Sequence, residues 1–124
     1  MREVPRGAAE GRPGAADVRA AAWVEVVQVD AAMTAGYELL VDAGEAAAIA
    51  LARSEGGLLL MDDDRGRRLA LRLGLAVKGT LGILVIAKRR GHVEHVRPLL
   101  DALLKQGIRV SGTLVDATLR EVGE

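Results

Sequence analysis

The chain has 124 residues, enough for one small domain, and its 17 basic and 17 acidic residues give a formal net charge of zero. A neutral chain excludes binding to nucleic acid through a global positive field, so any such binding must depend on a local patch. It has no cysteine, which excludes disulfides and thiolate metal sites and fits a cytoplasmic location. No apolar run approaches the length of a membrane span.

The N-terminal part of the chain predicts short helices around one strand. Residues 15–22 are rich in alanine, which favours a helix. Residues 23–29 (WVEVVQV) are alternating and β-branched, which is typical of a strand, and Trp23 is expected to anchor the core. Residues 31–40 are ambiguous, and we predict a helix there.

The centre of the chain, residues 41–64 (VDAGEAAAIALARSEGGLLLMDDD), predicts a helix followed by a strand. Apolar residues recur at helical spacing over residues 44–54, and two glycines then end the helix. Residues 58–61 form an apolar run with no polar face, as expected of a strand covered on both sides by helices. A helix that leads into such a strand is half of a parallel α/β unit.

Acidic residues lie at the start of this helix and at the end of this strand. Glu45 opens the helix, and an Asp run, Asp62 to Asp64, follows the strand. Because helix and strand run in opposite directions, we expect these carboxylates at one edge of the sheet, where they suit a hard divalent cation. The alternative is purely structural, with Glu45 a favourable acid at a helix start and the Asp run a turn and helix cap.

The remainder of the chain predicts one more strand and several helices. Helices are expected over residues 65–73, 81–90 and 94–106 and from Ser111 onward, with a short strand at residues 76–78. Strands are few and short, helices are many, and they alternate through the middle of the chain. The pattern therefore predicts a three-layer α/β domain with a small parallel sheet.

Four motifs in order carry a resemblance to a known family: DAGEAAAIALA, LLLMDDDRGRRLALRLGL, GTLGILVIAKRRG and HVRPLLDALLKQGIRVSGTLV. Together they resemble a PIN-domain branch of predicted nucleic-acid-binding proteins related to the toxin ribonucleases of toxin–antitoxin pairs. The resemblance runs from about Arg2 to the C-terminus, which is nearly the whole chain. It implies a single PIN-like domain over residues 1–124.

The resemblance also implies an activity, a cofactor and a set of site residues. PIN domains resemble endoribonucleases in which acidic residues hold Mg²⁺ or Mn²⁺ and a metal-bound water attacks the RNA. Glu45 matches the family's mid-chain acid, Asp63 matches the acid after a later strand, and Asp62 is its neighbour. Glu3 matches an acid of an early helix. We therefore predict Glu45, Asp63 and Glu3 as metal ligands and Glu45, Asp63 and Asp62 as catalytic residues.

One departure from the family concerns the front of the chain. The family opens with a central strand that ends in Asp followed by Ser or Thr, and this chain has no counterpart to it. We therefore expect a domain truncated at its N-terminus, with little or no cleavage of RNA by the chain as it stands. A start codon assigned downstream of the true one is the explanation we favour over a strand supplied by another chain or a decayed gene.

The implied partners are RNA, an antitoxin protein and a second copy of the chain in a homodimer. The alternative from another class is a non-catalytic PIN-like module that binds a partner protein or RNA. Arg65, Arg68 and Arg72 share one face of the helix predicted over residues 65–73, with Arg67 beside them. They are open to two interpretations: contacts to RNA phosphates, or an ordinary solvated face.

Overall fold

The computed structural model describes residues 14–124, which form an α/β structure of helices and two short strands. The described elements are, in chain order, α1 (Ala15–Ala20), α2 (Ala31–Thr34), a 3₁₀ turn (Tyr37–Leu39), α3 (Ala43–Glu55), β1 (Leu58–Leu60), α4 (Asp64–Arg72), β2 (Ala76–Lys78), α5 (Thr80–Arg89), α6 (Arg97–Lys105) and α7 (Gly112–Glu121). The two strands pair in a small parallel sheet. The predicted α/β class is therefore confirmed.

Most predicted elements are confirmed with shifts of a few residues at their ends. The helix expected over residues 44–54 is α3, and the strand expected at residues 76–78 is β2. The single helix predicted over residues 31–40 is instead split into α2 and the 3₁₀ turn. Helix α6 begins later than predicted, at Arg97, with Pro98 in its first turn, where its missing N–H costs no hydrogen bond.

The strand predicted over residues 23–29 is wrong. Within residues 14–124, sheet pairing joins only β1 and β2, and residues 24–30 have no regular structure. The expectation that Trp23 anchors the core is also wrong, because its side chain is 86% exposed. A β-branched composition favours a strand only when a neighbouring strand supplies pairing and packing, and none of the described segments does so here.

Strand β1 is buried on one face only. Leu59 is buried, and so is Met61 just beyond the strand, whereas Leu58 and Leu60 are 49% and 55% exposed. The prediction that helices cover both faces is therefore wrong. An apolar run satisfies either arrangement, so its composition could not distinguish a strand with two covered faces from one with a single covered face.

The chain divides into two compact units between Val77 and Lys78, and each has its own apolar core. In the first unit, α3, β1 and α4 contribute most of the core, which consists of Val41, Ala46, Ile49, Ala52, Leu59, Met61, Leu69 and Ala70. Gly66 in α4 lies so close to Met61 that a Cβ there would collide with the Met61 sulfur, so this position requires a glycine or a moved Met61. The expected single domain stays a prediction.

The core of the second unit is built from α6, α7 and the residues beside them. Val96, Leu100 and Leu119 form its buried centre, and five half-buried side chains pack around it: Leu81, Leu84, Leu104, Val115 and Val122. Ser111 caps α7 as predicted, because its hydroxyl oxygen accepts a hydrogen bond from the Leu114 backbone N–H.

Glu124 caps α6 from a distant point in the chain. Its carboxylate accepts hydrogen bonds from the backbone N–H groups of Val96, at 2.7 Å, and Arg97, at 3.0 Å. It also pairs with Lys88 Nζ at 2.9 Å, and its side chain is 11% exposed. The Val96 N–H and then the Lys88 ammonium lower the pKa of Glu124 to about 2. Because α6 has no side-chain cap of its own, Glu124 satisfies N–H groups that would otherwise lack partners.

Replacing Leu59 with Ala tests the core of the first unit. Leu59 is 5% exposed, so we expect the Leu59→Ala substitution to lower the free energy of unfolding by ~2–5 kcal/mol. Leu60→Ala in the same strand is the matched control, and its effect should be much smaller because Leu60 is 55% exposed. Urea denaturation measures both. Equal losses in the two variants would contradict the one-faced burial of β1.

Replacing Glu124 with Gln tests the distant cap. A carboxylate with a lowered pKa adds stability above its unfolded pKa near 4.5, and this stability is lost as pH falls toward about 2. We therefore expect Glu124→Gln to melt at a lower temperature than the parent at neutral pH, with the difference shrinking through that window. Glu121→Gln, which removes an exposed carboxylate paired with Arg89, is the control and should change the melting temperature less. A pH-independent difference would contradict the role of the Glu124 charge.

Candidate functional site

A groove of about 780 Å³ runs between α3 and β1. Its sides are largely apolar along the middle of the two elements, where Ala48, Leu51, Leu58 and Leu60 line it. Five carboxylate residues line it as well. Four lie at the start of α3 and just after β1, namely Asp42, Glu45, Asp62 and Asp63, and the fifth, Glu55, lies at the other end of α3. The groove therefore places an apolar channel beside a group of acids.

The start of α3 fixes two of these acids by reciprocal hydrogen bonds. Asp42 is the N-cap, and its Oδ1 accepts a hydrogen bond from the Glu45 backbone N–H at 2.9 Å. The Glu45 Oε2 in turn accepts one from the Asp42 backbone N–H at 3.2 Å. These two hydrogen bonds form a capping box. Glu45 therefore has the structural role of an acid at a helix start, whether or not it has a second role. Asp42 was not predicted as a site or cap residue, although Asp followed three residues later by Glu is the sequence signature of a capping box.

Asp63 also has a capping role. It is the N-cap of α4, and its Oδ2 accepts a hydrogen bond from the Gly66 backbone N–H at 2.9 Å. Its other oxygen, Oδ1, has no hydrogen-bond partner among the described residues, and the same holds for Oε1 of Glu45. Each carboxylate therefore combines a fixed position with one oxygen that remains available.

Glu45 and Asp63 come from separate elements and lie close enough to interact. Burial is the main cause that raises the pKa of Glu45, and the neighbouring Asp42 and Asp63 carboxylates raise it further. The hydrogen bond from the Asp42 backbone N–H opposes this shift without cancelling it. The structure thus brings together Glu45, Asp63 and Asp62, three of the four predicted site residues. The fourth, Glu3, lies outside the described residues.

The donor atoms of this site are of the type that a hard divalent cation prefers, but fewer than three of the described side chains are arranged to hold one ion. Carboxylate oxygens are the ligands that Mg²⁺ and Mn²⁺ prefer, and a bound cation would offset the repulsion that raises the Glu45 pKa. Within residues 14–124, however, no group of three or more His, Asp or Glu side chains is arranged to hold an ion. Ligation by Glu45 and Asp63 therefore stays a prediction.

Fold and groove together define an α/β protein with acids at the end of a parallel strand, the edge where such folds carry their sites. Over residues 1–124 the chain matches the family described as DUF3368, PIN domain, and it belongs to that family. The resemblance drawn from the four motifs is therefore confirmed, and membership supports a nuclease-like module. Neither the curated proteins nor the solved structures include a significant match. None of the described helices has the length and apolar character needed to cross a bilayer.

A stability measurement tests whether the negative charge of Glu45 destabilises the folded state. A carboxylate whose folded pKa is raised disfavours the folded state once it ionises, so the penalty is present above that pKa and disappears as pH falls below the unfolded value of 4.5. Glu45→Gln keeps an acceptor for the Asp42 N–H and removes the charge. We expect it to melt at a slightly higher temperature than the parent at neutral pH and at the same temperature in acid.

Glu55→Gln, at the other end of α3, is the control for this measurement. Glu55 also lines the groove, but its side chain is exposed and it is not among the groups that interact with Glu45, so its replacement should leave the melting temperature nearly unchanged. A lower melting temperature for Glu45→Gln would mean that the charged capping box outweighs burial and repulsion.

Proposed function

We propose that this PIN domain is an endoribonuclease that depends on Mg²⁺ or Mn²⁺, with Glu45 and Asp63 as metal ligands and Asp62 as their catalytic neighbour. The observation that carries the proposal is the approach of Glu45 and Asp63 at one end of the groove. Asp63, at the start of α4, lies close enough to Glu45, at the start of α3, to raise the Glu45 pKa. Helix capping does not explain this proximity, because each helix could be capped without it. A carboxylate in a groove with a perturbed pKa, as Glu45 has, is typical of functional sites.

The chain's own residues would prepare the site before any ion binds. The capping box holds Glu45 with one oxygen used and one available, and the bond to Gly66 does the same for Asp63. A divalent cation held there would supply Lewis-acid activation of water and would stabilise charge that develops on a phosphodiester.

We further propose that the 124-residue chain cleaves RNA weakly or not at all. Within residues 14–124 two carboxylates converge, and they give a cation less ligand charge than three or four would, which matters because ligand charge sets the affinity for hard cations. A loosely held cation neither lowers the pKa of its water nor positions that water for attack. In this proposal the protein acts in the cytoplasm as the toxin of a toxin–antitoxin pair, with RNA as substrate, an antitoxin protein as partner and a homodimer as its assembly.

A second candidate function is a non-catalytic module that binds a partner protein or RNA. The observation that favours it is the absence, within residues 14–124, of a group of three potential metal ligands. The capping roles of Glu45 and Asp63 are compatible with this alternative, because both bonds exist without a cation. The two candidates differ in whether the site binds Mn²⁺.

Calorimetric titration with Mn²⁺ tests the first candidate. We expect weak binding by the parent chain, and we expect Glu45→Gln and Asp63→Asn each to reduce the affinity by about tenfold or more, since even residues that only support metal ligands cost this much. Asp64→Asn is the matched control, because Asp64 lies beside Asp63 but does not line the groove. Unchanged binding in both ligand variants would remove the site and favour the binding module.

A cleavage assay tests competence directly. The purified chain is incubated with single-stranded RNA and Mn²⁺, with EDTA as the control. We expect little or no cleavage. The contrary result is brisk cleavage that is abolished by EDTA and lost in Asp63→Asn. It would show that two carboxylates are sufficient for catalysis and that the proposal of weak or absent cleavage is wrong.

A further inference from the structure

We infer that the exposed arginine face of α4, formed by Arg65, Arg68 and Arg72, binds the phosphate backbone of single-stranded nucleic acid that reaches the groove. The inference deepens the proposed function and rests on it, because it assigns the surface by which the same site would hold its substrate. The contacts involve phosphate oxygens and not bases, so the expected binding is independent of sequence.

The three arginines occupy one side of a strongly amphipathic helix. Gly66, Leu69 and Ala70 are the buried residues of α4 and lie on its core face. At about 100° per residue, Arg65, Arg68 and Arg72 fall within about 60° of one another, on a stripe beside that face. They span about 10 Å along the helix axis at a rise of 1.5 Å per residue. All three residues are exposed, so the stripe presents a row of guanidinium groups to solvent.

These guanidinium groups are not neutralised by acidic side chains. Among residues 14–124, none of the three arginines forms an ion pair with an acidic side chain, whereas Lys88, Arg89 and His95 pair with Glu124, Glu121 and Glu94. Within the same part of the chain, the only hydrogen bond from the stripe is a long one, 3.4 Å, from Arg68 Nε to the Asp64 carbonyl oxygen. The chain therefore keeps three adjacent positive charges available although its net charge is zero.

The stripe begins next to the acidic end of the groove. Asp63, which lines the groove, is the N-cap of α4, and Arg65 follows it by two residues. Carboxylates alone would repel a polyanion from this place, and neighbouring arginines offset the repulsion. Arginine is also suited to the task because its planar fork can donate two hydrogen bonds to one phosphate.

An ordinary solvated face accounts less well for this composition. Exposed faces usually mix positive and negative residues, and α6 and α7 do so, with Arg97, Asp101 and Lys105 in α6 and Asp116, Arg120 and Glu121 in α7. In α4 every charged residue after its first position is an arginine. A face with one sign of charge beside a groove indicates a polyanionic ligand.

The salt dependence of binding to a fluorescein-labelled oligouridylate, followed by anisotropy, tests the inference. For single strands the logarithm of the binding constant falls with the logarithm of salt concentration by about 0.7 per phosphate contact. We expect the triple variant Arg65→Gln, Arg68→Gln, Arg72→Gln to lower this slope by about 2. The same substitutions to Lys should keep the slope, because they keep the charges.

The matched control replaces three exposed arginines outside α4, namely Arg90, Arg109 and Arg120, with Gln. It makes the same change in net charge and should leave the slope unchanged. Equal losses of slope in the two triple variants would overturn the inference, and so would the absence of any binding by the parent chain. If the α4 triple variant fails to fold, the single variants Arg65→Gln and Arg72→Gln should each lower the slope by about 0.7.

The outcome separates this inference from the proposed function. Unchanged Mn²⁺ affinity in Glu45→Gln and Asp63→Asn would reject the metal site. The α4 triple variant could still show a lower salt-dependence slope than the parent, and that result would support the arginine face on its own. A slope that is the same in the α4 variant and the parent would reject the arginine face even where Mn²⁺ binding depends on Glu45 and Asp63. Binding of an oligodeoxythymidylate with the same slope would confirm that the phosphate backbone is the group recognised.

Discussion

The packing of α3 against the buried face of β1 is the interaction on which the first unit depends. Ile49 of α3 is fully buried, and Leu59 and Met61 are in the same core, so the helix and the strand are held side by side in opposite directions. This arrangement brings the start of the helix near the end of the strand. Asp42 and Glu45 therefore meet Asp62 and Asp63 at one end of the groove, although about twenty residues separate them in sequence.

Three acids at this end of the groove, Asp42, Glu45 and Asp63, bond to N–H groups at helix starts and also line the candidate site. Asp42 and Asp63 satisfy backbone N–H groups at the starts of α3 and α4, which stabilises both helices. The same bonds fix the carboxylates at positions where burial and mutual repulsion raise the pKa of Glu45. A residue that caps a helix at the edge of a groove is thus already held in position, so a capping role is compatible with the ligand role proposed for Glu45 and Asp63.

The two units differ in how the backbone N–H groups at their helix starts find hydrogen-bond acceptors. In the first unit the caps are local, since Asp42 and Asp63 bond to N–H groups three residues ahead. In the second unit α6 lacks a local cap, and Glu124 supplies one from 27 residues away while pairing with Lys88. The local caps persist as long as their helices do. The distant cap requires the end of α7 to stay packed, so it couples the stability of α6 to that of α7.

Local sequence patterns were sufficient to predict the features that depend on neighbours within a few residues. Helical spacing predicted α3 and α4, the glycines after α3 predicted its end, and Ser111 predicted the cap of α7. The order of four motifs predicted PIN-domain membership, and the antiparallel course of helix and strand predicted that Glu45 and the Asp run share one edge. Only the tertiary structure decided that Trp23 is exposed, that β1 is buried on one face and that Glu124 caps α6. Burial, strand pairing and distant caps depend on residues far apart in the chain, and a local pattern carries no information about which of them will meet.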